Sequence, residues 1–139
     1  MGNKKTILIL IVNFLPGYKG GGPIKSIKNL TDHLSNEFNF KIITSDRDLG
    51  DKQPYSHITT NQWNRINGID IFYASRNFLH FHSLIKLINK TDFDILYLNS
   101  FFQPIFSIQP VMAKYLRLLK SSNIILAPRG ELEKGCLKI

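Results

Sequence analysis

Cysteine is nearly missing from this chain. A single residue, Cys136, among 139 cannot form an internal disulfide and cannot build a cysteine-based zinc site. A reducing compartment is therefore expected. Long apolar runs are lacking too: no stretch approaches the roughly 20 apolar residues needed to span a bilayer. Acidic residues are scarce, with 10 Asp+Glu against 18 Lys+Arg, giving a net charge of +8 and a sequence pI near 9.7. Such a surplus favours anionic partners, whether nucleotide phosphates, nucleic acid or an acidic membrane surface. The cations are scattered and mostly Lys, without the dense cluster of a dedicated nucleic-acid binder, so no nucleic-acid partner is expected.

Apolar residues make up 43% and charged residues 20%, the balance of a folded domain rather than a disordered chain. The length suits one domain spanning residues 1–139. Near the start, Gly2 with Thr6 satisfies the loose myristoylation pattern, and Lys4-Lys5 before Ile7-Leu8-Ile9-Leu10-Ile11-Val12 resembles a short signal peptide. No small-residue cleavage site follows. A buried first strand behind a solvated Lys pair explains the same residues, and a cytoplasmic protein is expected.

Apolar β-branched runs alternate with helical periodicity. Strands are predicted at residues 6–13, 40–44, 70–74, 94–98 and 123–127, and helices at 23–35, 78–90 and 104–120. Strands separated by helices pair in parallel through right-handed crossovers. The fold class is therefore α/β: an open parallel Rossmann-like sheet with helices on both faces. In the first helix Ile24, Ile27, Leu30 and Leu34 form a core-facing stripe, and Pro23 suits the first helical position. Residues 45–68 are long, polar and aperiodic, and are expected to form a functional or mobile loop pinned by Tyr55, Trp63 and Ile66. Pro110 should kink or split the third helix.

Three segments carry candidate chemistry, each at the C-terminal end of a predicted strand. The first is Gly20-Gly21-Gly22-Pro23, between strand one and helix one. A P-loop would need Lys and Ser or Thr directly after its last glycine, and Pro23-Ile24 intervene before Lys25-Ser26. The dinucleotide fingerprint also fails, because Lys25 takes the third glycine position. What remains is a glycine turn at a helix N-terminus, suited to close approach by an anionic ligand. A plain tight turn is the other reading. The second segment is Pro128-Arg129-Gly130-Glu131, where Arg129 could fork onto a phosphate or carboxylate with Glu131 orienting it, or the two could form a solvated pair. The third is Asn99-Ser100, suitable partners for sugar hydroxyls and also ordinary turn residues. Asp46 and Asp48 read as loop acceptors rather than catalytic carboxylates. His80 and His82, two apart on a helix, point to different faces, and His33 and His57 have no recognisable partners, so no metal site is expected.

These features together resemble the N-terminal, acceptor-side domain of family 4 glycosyltransferases with the two-domain GT-B fold. The resemblance spans essentially the whole chain. Its most specific stretch is Ile125-Leu126-Ala127-Pro128-Arg129-Gly130-Glu131-Leu132 followed by Gly135-Cys136-Leu137-Lys138, supported by residues 92–102 and by Trp63 ahead of Ile66-Asn67-Gly68-Ile69. It implies sugar transfer from a nucleotide-sugar donor to a cell-surface glycan or lipid-linked acceptor, with retention of configuration and no essential metal or other cofactor. It implies backbone donors at Gly21 and Gly22 beside the diphosphate, with Gly20 in the same loop, and cleft roles for Arg129, Gly130 and Glu131. Asn99 and Ser100 stand on the acceptor side, where many relatives carry a histidine. The C-terminal donor-binding domain is not within residues 1–139, as in a truncated chain or half of a split enzyme, so this chain alone is expected to be inactive in transfer. The basic surplus would support peripheral contact with an anionic membrane at the inner face of the plasma membrane. A non-catalytic nucleotide- or glycan-binding α/β module is the alternative.

Overall fold

The computed structural model describes residues 2–120 and 123–129. Among these residues a six-stranded sheet comprises β1 (Lys5–Leu10), β2 (Phe38–Ser45), β3 (Trp63–Ile66), β4 (Ile69–Ala74), β5 (Ile95–Leu98) and β6 (Ile124–Leu126). Their spatial order is β3-β4-β2-β1-β5-β6. All neighbours pair in parallel except β3, which runs antiparallel to β4. The helices are α1 (Gly22–Leu34), α2 (Phe81–Lys90) and α3 (Gln109–Tyr115).

The apolar run of β1 fits its central place, because a strand covered on both faces needs no polar alternation. Leu8 and Leu10 face a cluster with Ile43, Phe72, Leu96 and Leu98, onto which α2 packs Leu84, Ile85 and Ile88. Ile7, Ile9 and Ile11 face the opposite cluster with Ile42 and Tyr73, covered by Ile24 and Ile27 of α1. Helices thus lie on both faces, and the helix-period stripe of α1 is the side that packs.

One segment departs from the sequence expectation, and a second divides near Pro110 as expected but ends its helix at Tyr115 rather than at residue 120. Residues 45–68 are not one long loop, because β3 forms within them and closes a hairpin with β4. Asn67 and Gly68 supply the turn with φ values of 49° and 79°, the left-handed pair that a two-residue hairpin requires. Trp63 packs edge-on against Phe72 across that pairing, ring centres 5.5 Å apart. The predicted helix 104–120 is split. Pro104–Ile108 form a wide π turn in which the Ile108 N–H reaches the Gln103 carbonyl, and Gln109 reaches that of Pro104. The α-helix proper starts only at Gln109, with Pro110 in its first turn. Proline has no N–H to give and crowds the carbonyl four residues back, so it is accommodated at a helix start rather than mid-helix.

Tyr73 in β4 is fully buried, and its hydroxyl donates to the Leu15 carbonyl at 2.6 Å. Burial pushes its pKa up to about 12. A tyrosine raised in this way stabilises the fold below its unfolded pKa near 10, and that contribution drains away as pH rises from about 10 towards 12. Tyr73→Phe is expected to cost about 1–2 kcal/mol at pH 7, since it orphans the Leu15 carbonyl. It should also flatten the alkaline fall in stability. Urea melts at pH 7 and pH 11 would check both effects.

Candidate functional site

After β1 the chain crosses through α1 to β2 on one side, and the later β5 adds on the other side of β1. The strand order therefore reverses between β1 and β5, and the loops leaving their C-terminal ends diverge. In open α/β sheets that divergence leaves a crevice. Here it is a cavity of about 170 Å³ lined by Ile11, Val12, Asn13, Gly20, Pro23, Asn99, Ser100 and Gln103.

One wall is the loop from β1 to α1. Gly21 occupies the N-cap of α1 with φ 68°, a conformation that costs glycine little. Its N–H donates to the Tyr18 carbonyl at 3.1 Å. This corrects the expectation that Gly21 and Gly22 both offer backbone donors: the Gly21 N–H is spent inside the loop. Gly22, first in the helix, has no carbonyl a turn earlier to bond. Neither an acidic residue in the first turn nor a side-chain cap covers this helix start, so the positive end of the α1 dipole is left uncompensated there. Gly20 lines the crevice, whereas Gly21 and Gly22 are exposed and outside its lining.

The loop is held from beneath by residues of the segment after β2. Asp48 is buried, and its Oδ2 accepts from the Tyr18 and Lys19 N–H groups at 2.9 and 3.2 Å, while Oδ1 accepts from Leu49 N–H at 2.8 Å. Burial pushes the Asp48 carboxyl up; the three backbone N–H groups and the nearby Lys19 charge outweigh it and hold the carboxyl below its ordinary value. Gly17 is required by close approach, because a Cβ there would stand 2.3 Å from the Tyr55 hydroxyl and 2.9 Å from Asp48 Oδ1. Tyr55 in turn donates to the Phe14 carbonyl. Asp46 is buried and paired with the Arg47 guanidinium at 2.7 Å. Both carboxylates are thus loop acceptors, as their sequence context indicates.

The other wall follows β5. Asn99 is buried, and its Oδ1 accepts from Arg129 Nε at 2.7 Å. Arg129 Nη2 donates to the Tyr97 hydroxyl at 2.9 Å, and the guanidinium lies 6.0 Å from the Tyr97 ring centre. Both hydrogen-bond acceptors are neutral. Among the described residues no carboxylate pairs with Arg129, so none of them neutralises the charge they position. Gly130 and Glu131 lie outside the described residues, as does Cys136.

The structure therefore brings Gly20, Asn99 and Ser100 to one crevice and ties Arg129 to it through Asn99. Asn13, Gln103, Tyr97 and Asp48 belong to the same construction, although the sequence reading assigned them no place in a site. The histidines stand apart: His80 is the N-cap of α2, and His33 Nδ1 lies 2.8 Å from the Asn29 carbonyl of its own helix. Among the described residues no three His, Cys, Asp or Glu side chains are grouped to hold a metal ion, and no helix is long and apolar enough to cross a membrane. Comparison of the chain with protein-family models, with curated proteins and with solved structures finds no match.

Proposed function

We propose that this chain is the acceptor-side, Rossmann-like domain of a retaining GT-B glycosyltransferase of family 4, and that the crevice between β1 and β5 meets the diphosphate of a nucleotide-sugar donor. The observation that carries the reading is the Arg129 guanidinium, fixed by two neutral acceptors, of which Asn99 lines the same crevice as Gly20 and Pro23 at the uncapped start of α1. Two positive features with no carboxylate paired to either among the described residues suit an anionic ligand. A nucleoside diphosphate supplies both the charge and the planar oxygen pairs that a forked guanidinium recognises. In such a site the transferred sugar sits between this wall and a donor-binding domain. Asn99 and Ser100 orient acceptor hydroxyls, and the cleft excludes water from the reacting carbon.

Titration calorimetry with uridine and guanosine diphosphate, in EDTA, tests the anion site. Saturable metal-independent binding is expected. Gly22→Val should weaken it about tenfold without loss of thermal stability: a Cβ at Gly22 meets nothing within 4 Å and φ there is not positive, so the side chain only obstructs the helix start. No binding of either nucleotide, or equal binding by the variant, would refute the site. Adding a donor-binding domain in trans with a nucleotide sugar and a glycan or lipid-linked acceptor separates the enzyme from a binding module: transfer is expected only in the mixture.

A further inference from the structure

Gly22 and the Arg129 guanidinium stand outside the lining of the crevice, and that lining carries no charged side chain. Beside apolar Ile11 and Val12 it presents three carboxamides, Asn13, Asn99 and Gln103. The protein uses one end of each, and the partner's chemistry fixes which end. Arg129 Nε can only donate, so Asn99 meets it with Oδ1 and keeps Nδ2. The Phe106 N–H can only donate, so Gln103 caps it with Oε1 and keeps Nε2. The Arg47 carbonyl can only accept, so Asn13 meets it with Nδ2 and keeps Oδ1.

Among the described residues these three remaining ends have no protein partner, yet none is shut away: the buried side-chain atoms left without one are Ser107 Oγ and Gln109 Oε1. Asn99 is only 6% exposed, and the crevice is where it meets solvent. The crevice thus offers two N–H donors and one carbonyl oxygen, all neutral and each held by a bond to the protein. A phosphate or carboxylate would satisfy the donors but set oxygen against Asn13 Oδ1. An alkyl group would strip all three ends of water and return nothing. A hydroxyl both donates and accepts, so two adjacent hydroxyls satisfy all three. The volume of about 170 Å³ matches roughly five or six waters of the liquid, room for one edge of a sugar ring.

We propose that Asn13, Asn99 and Gln103 are the specificity-determining residues of the crevice, and that they select a neutral sugar edge bearing two adjacent free hydroxyls. One hydroxyl donates to Asn13 Oδ1, and the pair accepts from Asn99 Nδ2 and Gln103 Nε2. Anionic groups stay outside, at Arg129 and the start of α1. The assignment deepens the transfer reading and rests on it for calling this sugar the acceptor. Sites that bond a hydroxyl through fixed polar groups discriminate sharply against analogues lacking it, because those groups are then left unpaired.

The test is a proton–nitrogen correlation NMR titration of the full chain with the methyl glycosides of glucose, mannose and galactose, each of which carries adjacent hydroxyls. At least one should bind saturably and shift the side-chain amide signals of Asn99 and Gln103, whose N–H groups are the free ends. Gln103→Ser should weaken that binding about tenfold, the effect of one hydrogen bond. Serine still caps the Phe106 N–H, so thermal melts of this variant should not fall. Asn13→Ala, which removes the acceptor, should weaken binding by a similar factor. Gly22→Val should leave it intact. Sugar binding without uridine diphosphate binding would count against the nucleotide site alone, and the reverse against the crevice assignment alone. Failure of all three glycosides to saturate, saturation without movement of the Asn99 and Gln103 amides, or equal affinity in Gln103→Ser and Asn13→Ala would overturn the assignment.

Discussion

Asp48→Ala is expected to lower stability by about 3–5 kcal/mol, the largest effect of any single polar substitution near the crevice. Its carboxylate accepts three backbone N–H groups, two of them from Tyr18 and Lys19 directly before the glycine turn. Bonds to a charged acceptor contribute about 1.5–3 kcal/mol each, and the desolvation of a buried carboxylate offsets part of their sum. Alanine removes the acceptor and leaves the donors facing one another. Because the folded-state pKa is depressed, the stability that Asp48 adds is fully present above its unfolded pKa near 4 and is lost as pH falls towards the folded value. Urea melts of both proteins at pH 7 and pH 3 would therefore show a gap that narrows on the acid side. A gap below 1 kcal/mol at pH 7 would mean that Asp48 does not hold the loop.

Arg129→Ala is expected to weaken uridine diphosphate binding by about 10- to 50-fold, with a smaller loss of stability. The side chain is exposed, but its removal leaves the buried Asn99 Oδ1 without this donor, a cost of about 1 kcal/mol. A positioned guanidinium bound to phosphate oxygens contributes more than that, about 1.4 kcal/mol for each tenfold in affinity. Lysine should restore only part of the loss. It brings the charge but cannot hold Asn99 Oδ1 and the Tyr97 hydroxyl together as Nε and Nη2 do. The wild-type affinity should also fall more steeply with salt than that of the alanine variant. Titration calorimetry at low and high ionic strength reads all three outcomes.

Much of this arrangement was legible in the sequence, for reasons that can be named. The unbroken apolar run at Ile7–Leu10 and the three- and four-residue spacing in α1 state their environments directly, as do the positions of Asn99 and Arg129 just past strand ends and of Gly20 just before α1. β3 was hidden because Trp63–Ile66 is four residues long, carries its polar residues Asn64 and Arg65 side by side without period-two alternation, and is stabilised by its partner rather than by burial. The Asn67-Gly68 dipeptide before β4 was the readable sign, since few other pairs adopt two successive left-handed conformations. Boundaries moved where tertiary hydrogen bonds decide them, as at α2, where Phe78 and Leu79 turn back on Ser75 before the helix begins at Phe81. Asp48 read as a loop acceptor, but which loop it holds could not be read, because its partners Lys19 and Tyr18 lie 29 and 30 residues away in sequence.

The reversal of strand order has a temporal side as well. β1 gains its first neighbour once β2 is made, but its other edge stays open until β5, and the Thr6 N–H meets Asp94 across 88 residues. At about 5–20 residues per second, the roughly 50 residues between β2 and β5 take about 3–10 s to synthesise. For that interval the central strand, apolar from Ile7 to Leu10, presents an unpaired edge on the ribosome. The crevice, which needs both neighbours of β1, is among the last parts of the molecule to come into being.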